Sequence, residues 1–386
     1  MAIQPKAPVV IIGGGFGGLY TALALAERRG HPPILLIEPN ERFLFLPLLY
    51  ELLSHELRSW EVAPRYDALL AGRGVAWLQE RVSRIDTRAH TILTSSGRSV
   101  PYGQAVVATG STTQSFGIPG VVEHSLSFRT LADVQRLQRL ITTLRQRQSP
   151  LQRLVVVGGG ASGVELACKL ADELGGAALV ELLERGPALL PQARSFNREQ
   201  ALLSLQRRDV RVRTGAAVTA VAADHLLIGP QGERLACDGV IWTAGIRCQP
   251  PAISPTPPTD GSGRLHTDSD LRLSGCDDLF AIGDVARCDD GTGSPLAANA
   301  QVAFQQATCL ADNLLRAAAG EPLRAFNFQD LGEMMSLGRQ DASLTGAGLT
   351  LAGRAAYELR RLAYLTRMPG GSHRLKVAAG WVAAWS

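Results

Sequence analysis

Two sets of three glycines have a spacing that could hold phosphate. Gly13, Gly15 and Gly18 form G-x-G-x-x-G in VVIIGGGFGG, and Gly158, Gly160 and Gly163 repeat it in LVVVGGGASG, 145 residues further on. Each set follows a short apolar run and opens a helical stretch. Each is also followed by a second apolar run that ends in an acid. Glu38 closes PILLIE and Glu184 closes VELLE, 20 and 21 residues past the third glycine. In such a unit the first glycine permits the tight turn from strand to helix. The second leaves room for a pyrophosphate against the backbone, and the third lets helix and strand pack closely. The pyrophosphate meets unsatisfied N–H groups at the helix N-terminus, and the acid accepts hydrogen bonds from ribose hydroxyls. One such fingerprint is weak; a strand, a helix and an acid in register, twice over, is strong. Two bound dinucleotides imply electron transfer from one to the other. The plainer alternative is a pair of glycine-rich turns with no ligand.

The elements that must position these residues are β-α-β units. The spacing predicts an α/β chain of two Rossmann-like dinucleotide-binding domains, the second inserted in the first. The expected boundaries are residues 1–119 and 241–330 for the first domain and 120–240 for the second. A C-terminal region, 331–386, is expected to carry a basic amphipathic helix. The strand AVVATG ends at Ala108, Thr109 and Gly110, where bulky residues would collide with a bound cofactor. CDGVIWTAGI, residues 237–246, resembles it and marks the return to the first domain. Helices are predicted over 128–150, closed by Ser149 and Pro150, over FNREQALLSLQRRD, and over 297–319.

Composition narrows the classes. The net charge is +4, but 354–386 holds six Lys/Arg against one acid, so the basic excess belongs to the tail. That argues against a nucleic-acid-binding surface over the main body. Six scattered cysteines without C-x-x-C read as reduced thiols of a cytosol-facing protein, and no metal site is expected. No uncharged apolar run is long enough to span a bilayer, and residues 1–8 do not read as a cleavable leader.

Together GGGFGG with Glu38, VVATG, GGGASGVE with Glu184, and LFAIGDVA resemble the two-dinucleotide-binding-domain flavoproteins, over most of the chain. The resemblance implies FAD at the first fingerprint and NAD(P)H at the second. It places Gly283 and Asp284 of the GD motif at the ribityl or pyrophosphate end of FAD. Disulfide reductases carry a cysteine pair just after the first acid. Here that stretch is NERFLFLPLLYELL. AQVAFQQ, the GVE at Glu165 and the tail are similar to type II NAD(P)H:quinone oxidoreductases, in their cyanobacterial and plastid branch. That implies a non-pumping enzyme taking electrons to a membrane quinone: demethylphylloquinone, another naphthoquinone or plastoquinone. A soluble reductase of a ferredoxin-like acceptor, or an NADH-binding redox sensor, is the alternative.

The same resemblance gives roles to single residues. Glu165 lies near the nicotinamide and moves protons, the alternative being a helix-N-terminal acid favoured by the dipole. Gln301 and Gln305, spaced i and i+4 on one face, line the quinone site; a solvated polar face is the alternative. Lys376 reaches the flavin ring or is an ordinary basic residue. Trp242, Trp381 and Trp385 read as packing or interfacial anchors. From Leu349 to Thr366 one arc is apolar (Leu351, Ala355, Leu359, Leu362) and the other carries Arg354, Arg360, Arg361 and Arg367. This fits a helix lying in an anionic membrane surface, on the cytoplasmic side of a thylakoid or plasma membrane. Docking on the core, or a homodimer contact, is the alternative. Glu184 would repel a 2′-phosphate and favours NADH, a preference that Arg185 could soften.

Overall fold

The computed structural model describes residues 7–147, 149 and 151–383. Pro150, Trp385 and residues 1–6 lie outside them. The chain forms two compact units. One comprises 1–44, 63–112 and 246–329, the other 45–62, 113–245 and 330–386.

The first unit is built on a five-stranded parallel sheet. Its order is Leu279–Ala281, Gln104–Val107, Val9–Ile12, Ile34–Ile37 and Val75–Leu78. VVII and QAVV are buried at every position, as parallel strands covered on both faces require. The helix Phe16–Ala26 follows the central strand. The second unit repeats this plan: Arg211–Arg213, Leu179–Leu183, Arg153–Val157, Gly239–Trp242 and Ser125–Leu126, all parallel. The helix Ala161–Leu174 follows its central strand. In both sheets one neighbour of the central strand ends in the acid and the other in small residues. This is the doubly wound plan expected from the fingerprints.

Several boundaries differ from the sequence expectation. Gly239–Trp242 pairs with Arg153–Val157, so it closes the second sheet, and the return to the first unit comes at Ile246 rather than at residue 241. Residues 45–62 and 330–386 both fall in the second unit. The helix after Thr130 spans Leu131–Arg147, opened by a reciprocal cap in which Thr130 Oγ1 accepts from the Asp133 N–H and Asp133 Oδ2 from the Thr130 N–H. The helix read over 297–319 spans Ala300–Ala318, with Asn299 as its N-cap.

The tail departs furthest. Leu349–Gly353 is not helical: it is the third strand of a meander with Glu333–Gly338 and Asp341–Gly346. Five residues of alternating character satisfy a period of 2 as readily as one of 3.6, and pairing with Asp341–Gly346 decides. Helix starts at Arg354, after Gly353 at φ +77°, and runs to Arg367; a second helix spans Gly371–Ala383. Arg360, expected on the solvent arc, is 1% exposed. A buried carboxylate, Glu51, draws it inward. Among the described residues no helix is long and apolar enough to cross a membrane, and no disulfide joins the six cysteines.

Candidate functional site

The two fingerprints have the same local construction. Gly13 sits at φ +99°, and a Cβ there would stand 2.5 Å from the Ala108 carbonyl oxygen. A Cβ at Gly18 would stand 1.8 Å from the Gly13 oxygen. Gly15 is different: no heavy atom lies within 4 Å of where its Cβ would be. The second fingerprint matches position for position. Gly158 has φ +117° and its Cβ would lie 2.9 Å from the Ala244 nitrogen, Gly163 is closed by the Gly158 oxygen at 1.8 Å, and Gly160 is open. First and third glycines are therefore required by the protein itself. The middle ones face space that a ligand can fill. Both helices begin at the middle glycine with no side-chain cap, so their first N–H groups are available to an anion.

The acids are held in the same way. Glu38 Oε2 accepts the Gly14 N–H at 2.7 Å and Oε1 the Asn40 N–H at 2.9 Å. Glu184 Oε2 accepts the Gly159 N–H at 2.6 Å and Oε1 the Gly186 N–H at 2.6 Å. Each carboxylate is fixed beside its glycine turn, with lone pairs left for ribose hydroxyls. These cradles fit dinucleotides.

Around the first cradle, Ala108 is buried and Gly110 has φ +67°. Thr109 is exposed. Asp284 Oδ2 accepts from Ser111 Oγ at 2.7 Å. Gly283, at φ +72°, donates its N–H to Gln306 Oε1 at 2.8 Å. Gln306 is 1% exposed and was not singled out from the sequence. Helical spacing named Gln301 and Gln305 as one face, but the buried face runs through Val302, Ala303, Gln306 and Ala307. Gln301 and Gln305 are half-buried at its edge. Gln305 binds the backbone of Gln329 with both ends of its amide, Nε2 donating at 2.9 Å and Oε1 accepting at 3.0 Å. Lys376 is exposed on Gly371–Ala383. Trp242 is a packing residue, buried with Nε1 donating to the Gln114 and Ala244 carbonyls. Trp381 donates Nε1 to Glu61 Oε1 at 2.8 Å.

Glu165 belongs to a buried cluster in the second unit. Its Oε1 accepts the Ser336 N–H at 2.7 Å. Ser336 Oγ donates to Glu51 Oε1 at 3.2 Å, and Arg360 Nη1 donates to the same oxygen at 2.5 Å. Arg360 Nη2 reaches the Pro47 carbonyl at 2.6 Å. Glu51, Ser336 and Arg360 are all at most 1% exposed. Burial pushes the Glu165 carboxyl up to about 7, against the lowering pull of Arg360, the Ser336 N–H and Tyr50, while Glu51 adds to the rise. A carboxyl that titrates near neutrality can take and give protons under ordinary conditions. Its neighbour one helical turn on, Lys169, is fully buried against Glu56 and Ser54.

Comparison with known proteins places the chain in a family. The profile described as pyridine nucleotide-disulphide oxidoreductase matches residues 7–307. Demethylphylloquinone reductase NdbB of Synechocystis is 39% identical over 384 residues, covering 97% of this chain and 95% of its own length. The alternative NAD(P)H-ubiquinone oxidoreductase C1 of Arabidopsis thaliana is 35% identical, covering 97% and 80%. A solved structure of NDH2 from Plasmodium falciparum in complex with NADH shares the fold, with a TM-score of 0.84 at 17% identity over 96% of each chain.

Proposed function

We propose, since the chain belongs to the pyridine nucleotide-disulphide oxidoreductase family and to its type II NAD(P)H:quinone oxidoreductases, that it reduces a membrane quinone with NAD(P)H. NAD(P)H and a proton go in, and the quinone takes two electrons and two protons to become the quinol; no proton is pumped. The observation that carries this reading is the pair of matched cradles, each with an open middle glycine and a fixed acid. The first, with Ala108, Thr109, Gly110, Gly283 and Asp284, is the FAD site, and the second, with Glu184, is the site of the nicotinamide donor. FAD, when bound, supplies the two-electron carrier between donor and quinone. The quinone as acceptor follows the relatives' names, a demethylphylloquinone reductase and a ubiquinone oxidoreductase, and the absence of a cysteine pair after Glu38.

The protein's own groups have distinct tasks. Gly15 and Gly160 let pyrophosphate lie on the backbone. Glu165 holds and releases a proton. Gln301 lines the quinone site, and Gln305, already bound to the Gln329 backbone, shapes it. Gln306 keeps the Gly283 turn in place for Asp284. Glu184, with both oxygens held by backbone N–H groups, cannot turn away from a 2′-phosphate. The test is a donor-by-acceptor panel on purified protein. NADH should bleach the flavin and a menadione-type quinone should restore its colour. The kcat/KM for NADH should exceed that for NADPH by about tenfold, some 1.4 kcal/mol. Reoxidation by a ferredoxin but not by quinone would overturn the acceptor, and an NADPH preference would overturn the role of Glu184.

The quinone is lipophilic, so the enzyme works at a membrane surface. The support lies on Gly371–Ala383, where Leu375 is 73% and Val382 72% exposed. Seven residues apart, they share one helix face, with Arg374 and Lys376 exposed nearby. This resembles an interfacial helix more than the arc on Arg354–Arg367 does. There Arg360 is buried, and Arg361 stacks over Trp381 at 4.3 Å and pairs with Glu358. Changing Leu375 and Val382 together to Gln should lower recovery on vesicles with anionic lipid by at least about tenfold. Turnover with a water-soluble quinone should stay intact. Unchanged recovery would place the membrane contact elsewhere. Deleting the whole tail would be a poorer test, since it strips Arg360 from Glu51.

A further inference from the structure

Resting on the reading of Glu165 as the proton-handling group, we propose that Arg360 and Glu51, joined through Ser336, are positioning residues that set the proton affinity of Glu165 and tie it to the docking of the helix Arg354–Arg367. Three ionisable groups, Glu165, Glu51 and Arg360, are each at least nine-tenths buried. They come from three parts of the chain: the helix Ala161–Leu174, the helix Leu49–Leu53 and the helix Arg354–Arg367. Ser336 is the joint. Its backbone N–H serves Glu165 and its hydroxyl serves Glu51. One guanidinium therefore stands among two buried carboxyl groups. It bonds directly to Glu51 and acts on Glu165 through the field. With Arg360 committed to Glu51, ionising Glu165 adds a second negative charge around a single positive one. Burial first, and then this second charge, keep Glu165 protonated to higher pH than an ordinary carboxyl.

The other titratable groups around Glu165 do not replace this control. Tyr50 bonds Glu165, and burial first, then Glu165 itself, hold that phenol well above its ordinary range, so it stays a neutral donor. Tyr364, beside Arg360, is likewise raised by burial. Lys169 is paired with Glu56. The Arg360–Glu51 pair is thus the adjustable charge. It rides on a helix just before the exposed apolar face of Gly371–Ala383, so the proton site is linked to the segment that meets the membrane.

The test reads the Glu165 carboxyl directly. In the flavin-loaded protein, the C=O stretch of protonated Glu165 is followed by infrared difference between each variant and the same variant carrying Glu165→Gln, as pH is varied without turnover. Glu51→Gln removes the competing carboxylate and frees Arg360 for Glu165, so the midpoint should fall by about one pH unit. Arg360→Met removes the cation, so it should rise by about as much. Arg360→Lys should stay near wild type, and it carries the test with Glu51→Gln if Arg360→Met fails to fold. The pH profile of quinone reduction should move with the carboxyl band. Shifts of opposite sign are what a purely structural role would not give. A midpoint unmoved in Glu51→Gln, or moved the same way in both charge variants, overturns the proposal. Since no quinone is present in the infrared titration, loss of quinone activity with intact opposite shifts would refute the acceptor alone.

Discussion

Gly160→Ala is expected to give a folded, yellow protein that NADH no longer bleaches at ordinary concentrations. Gly160 has φ −75° and ψ −178°, extended backbone that alanine adopts freely. Nothing lies within 4 Å of the new Cβ, so the fold loses nothing. The methyl group instead occupies the space through which a pyrophosphate reaches the N–H groups of Ala161–Leu174. Displacement of bound donor by about an ångström costs on the order of 100-fold in rate, so kcat/KM for NADH should fall at least that far. Thermal stability and flavin content should be unchanged. Gly163→Ala should behave oppositely: its Cβ would sit 1.8 Å from the Gly158 oxygen, so the strand-to-helix turn fails and folded yield drops. Gly15→Ala transfers the argument to the first cradle, where the folded protein should emerge colourless. Parallel fluorescence titration with NADH and thermal melts separate these outcomes. An unchanged donor KM in Gly160→Ala would mean that the pyrophosphate does not lie on that glycine.

The cradles were legible because their constraints are local. A G-x-G-x-x-G between a strand and a helix fixes a turn, and the acid some 20 residues on follows from the length of one helix and one strand. Hence Glu38 and Glu184 stand where the sequence puts them, each bonded to the N–H of the glycine inside its fingerprint. Glu165 was legible only by resemblance. Nothing in GVE reveals that burial lifts its carboxyl, because the groups that bury it arrive from residues 45–62 and 330–386. Arg360 shows the same limit more sharply. On a helical wheel it belongs with the exposed arginines, and only a long-range partner, Glu51, turns it inward. Gln306 is not distinguishable from Gln305 in the sequence for a related reason. Periodicity groups residues by face but does not say which face is covered, and it is Gln306 that meets the Gly283 N–H. At Leu349–Gly353 periodicity favours a helix, because five residues cannot distinguish two periods without their pairing partner.

The second large effect concerns stability. Arg360→Met should destabilise the protein by about 3–5 kcal/mol near neutral pH, the usual result of stranding one member of a buried ion pair. Arg360 Nη1 and Nη2 hold Glu51 and the Pro47 carbonyl, and both lose their donor. The loss should depend on pH in a defined direction. Glu165 has its folded pKa raised from 4.5 to about 7. A raised carboxyl contributes stability fully present below its unfolded value and lost as pH climbs through the folded one. Wild type should therefore lose stability, relative to Glu165→Gln, between about pH 4.5 and 7. Without Arg360, Glu165 loses the cation that lowers it, so the decline should be larger and run to higher pH. The gap between Arg360→Met and wild type should be larger at pH 8 than at pH 5. The double variant Arg360→Met with Glu51→Gln removes both charges of the pair and should recover much of the loss, since a well-packed neutral replacement for a buried pair is often tolerated. Urea unfolding at the two pH values reads each difference. Equal destabilisation of the single and double variants would show that Arg360 contributes packing rather than charge, and a pH-independent gap would deny the coupling to Glu165.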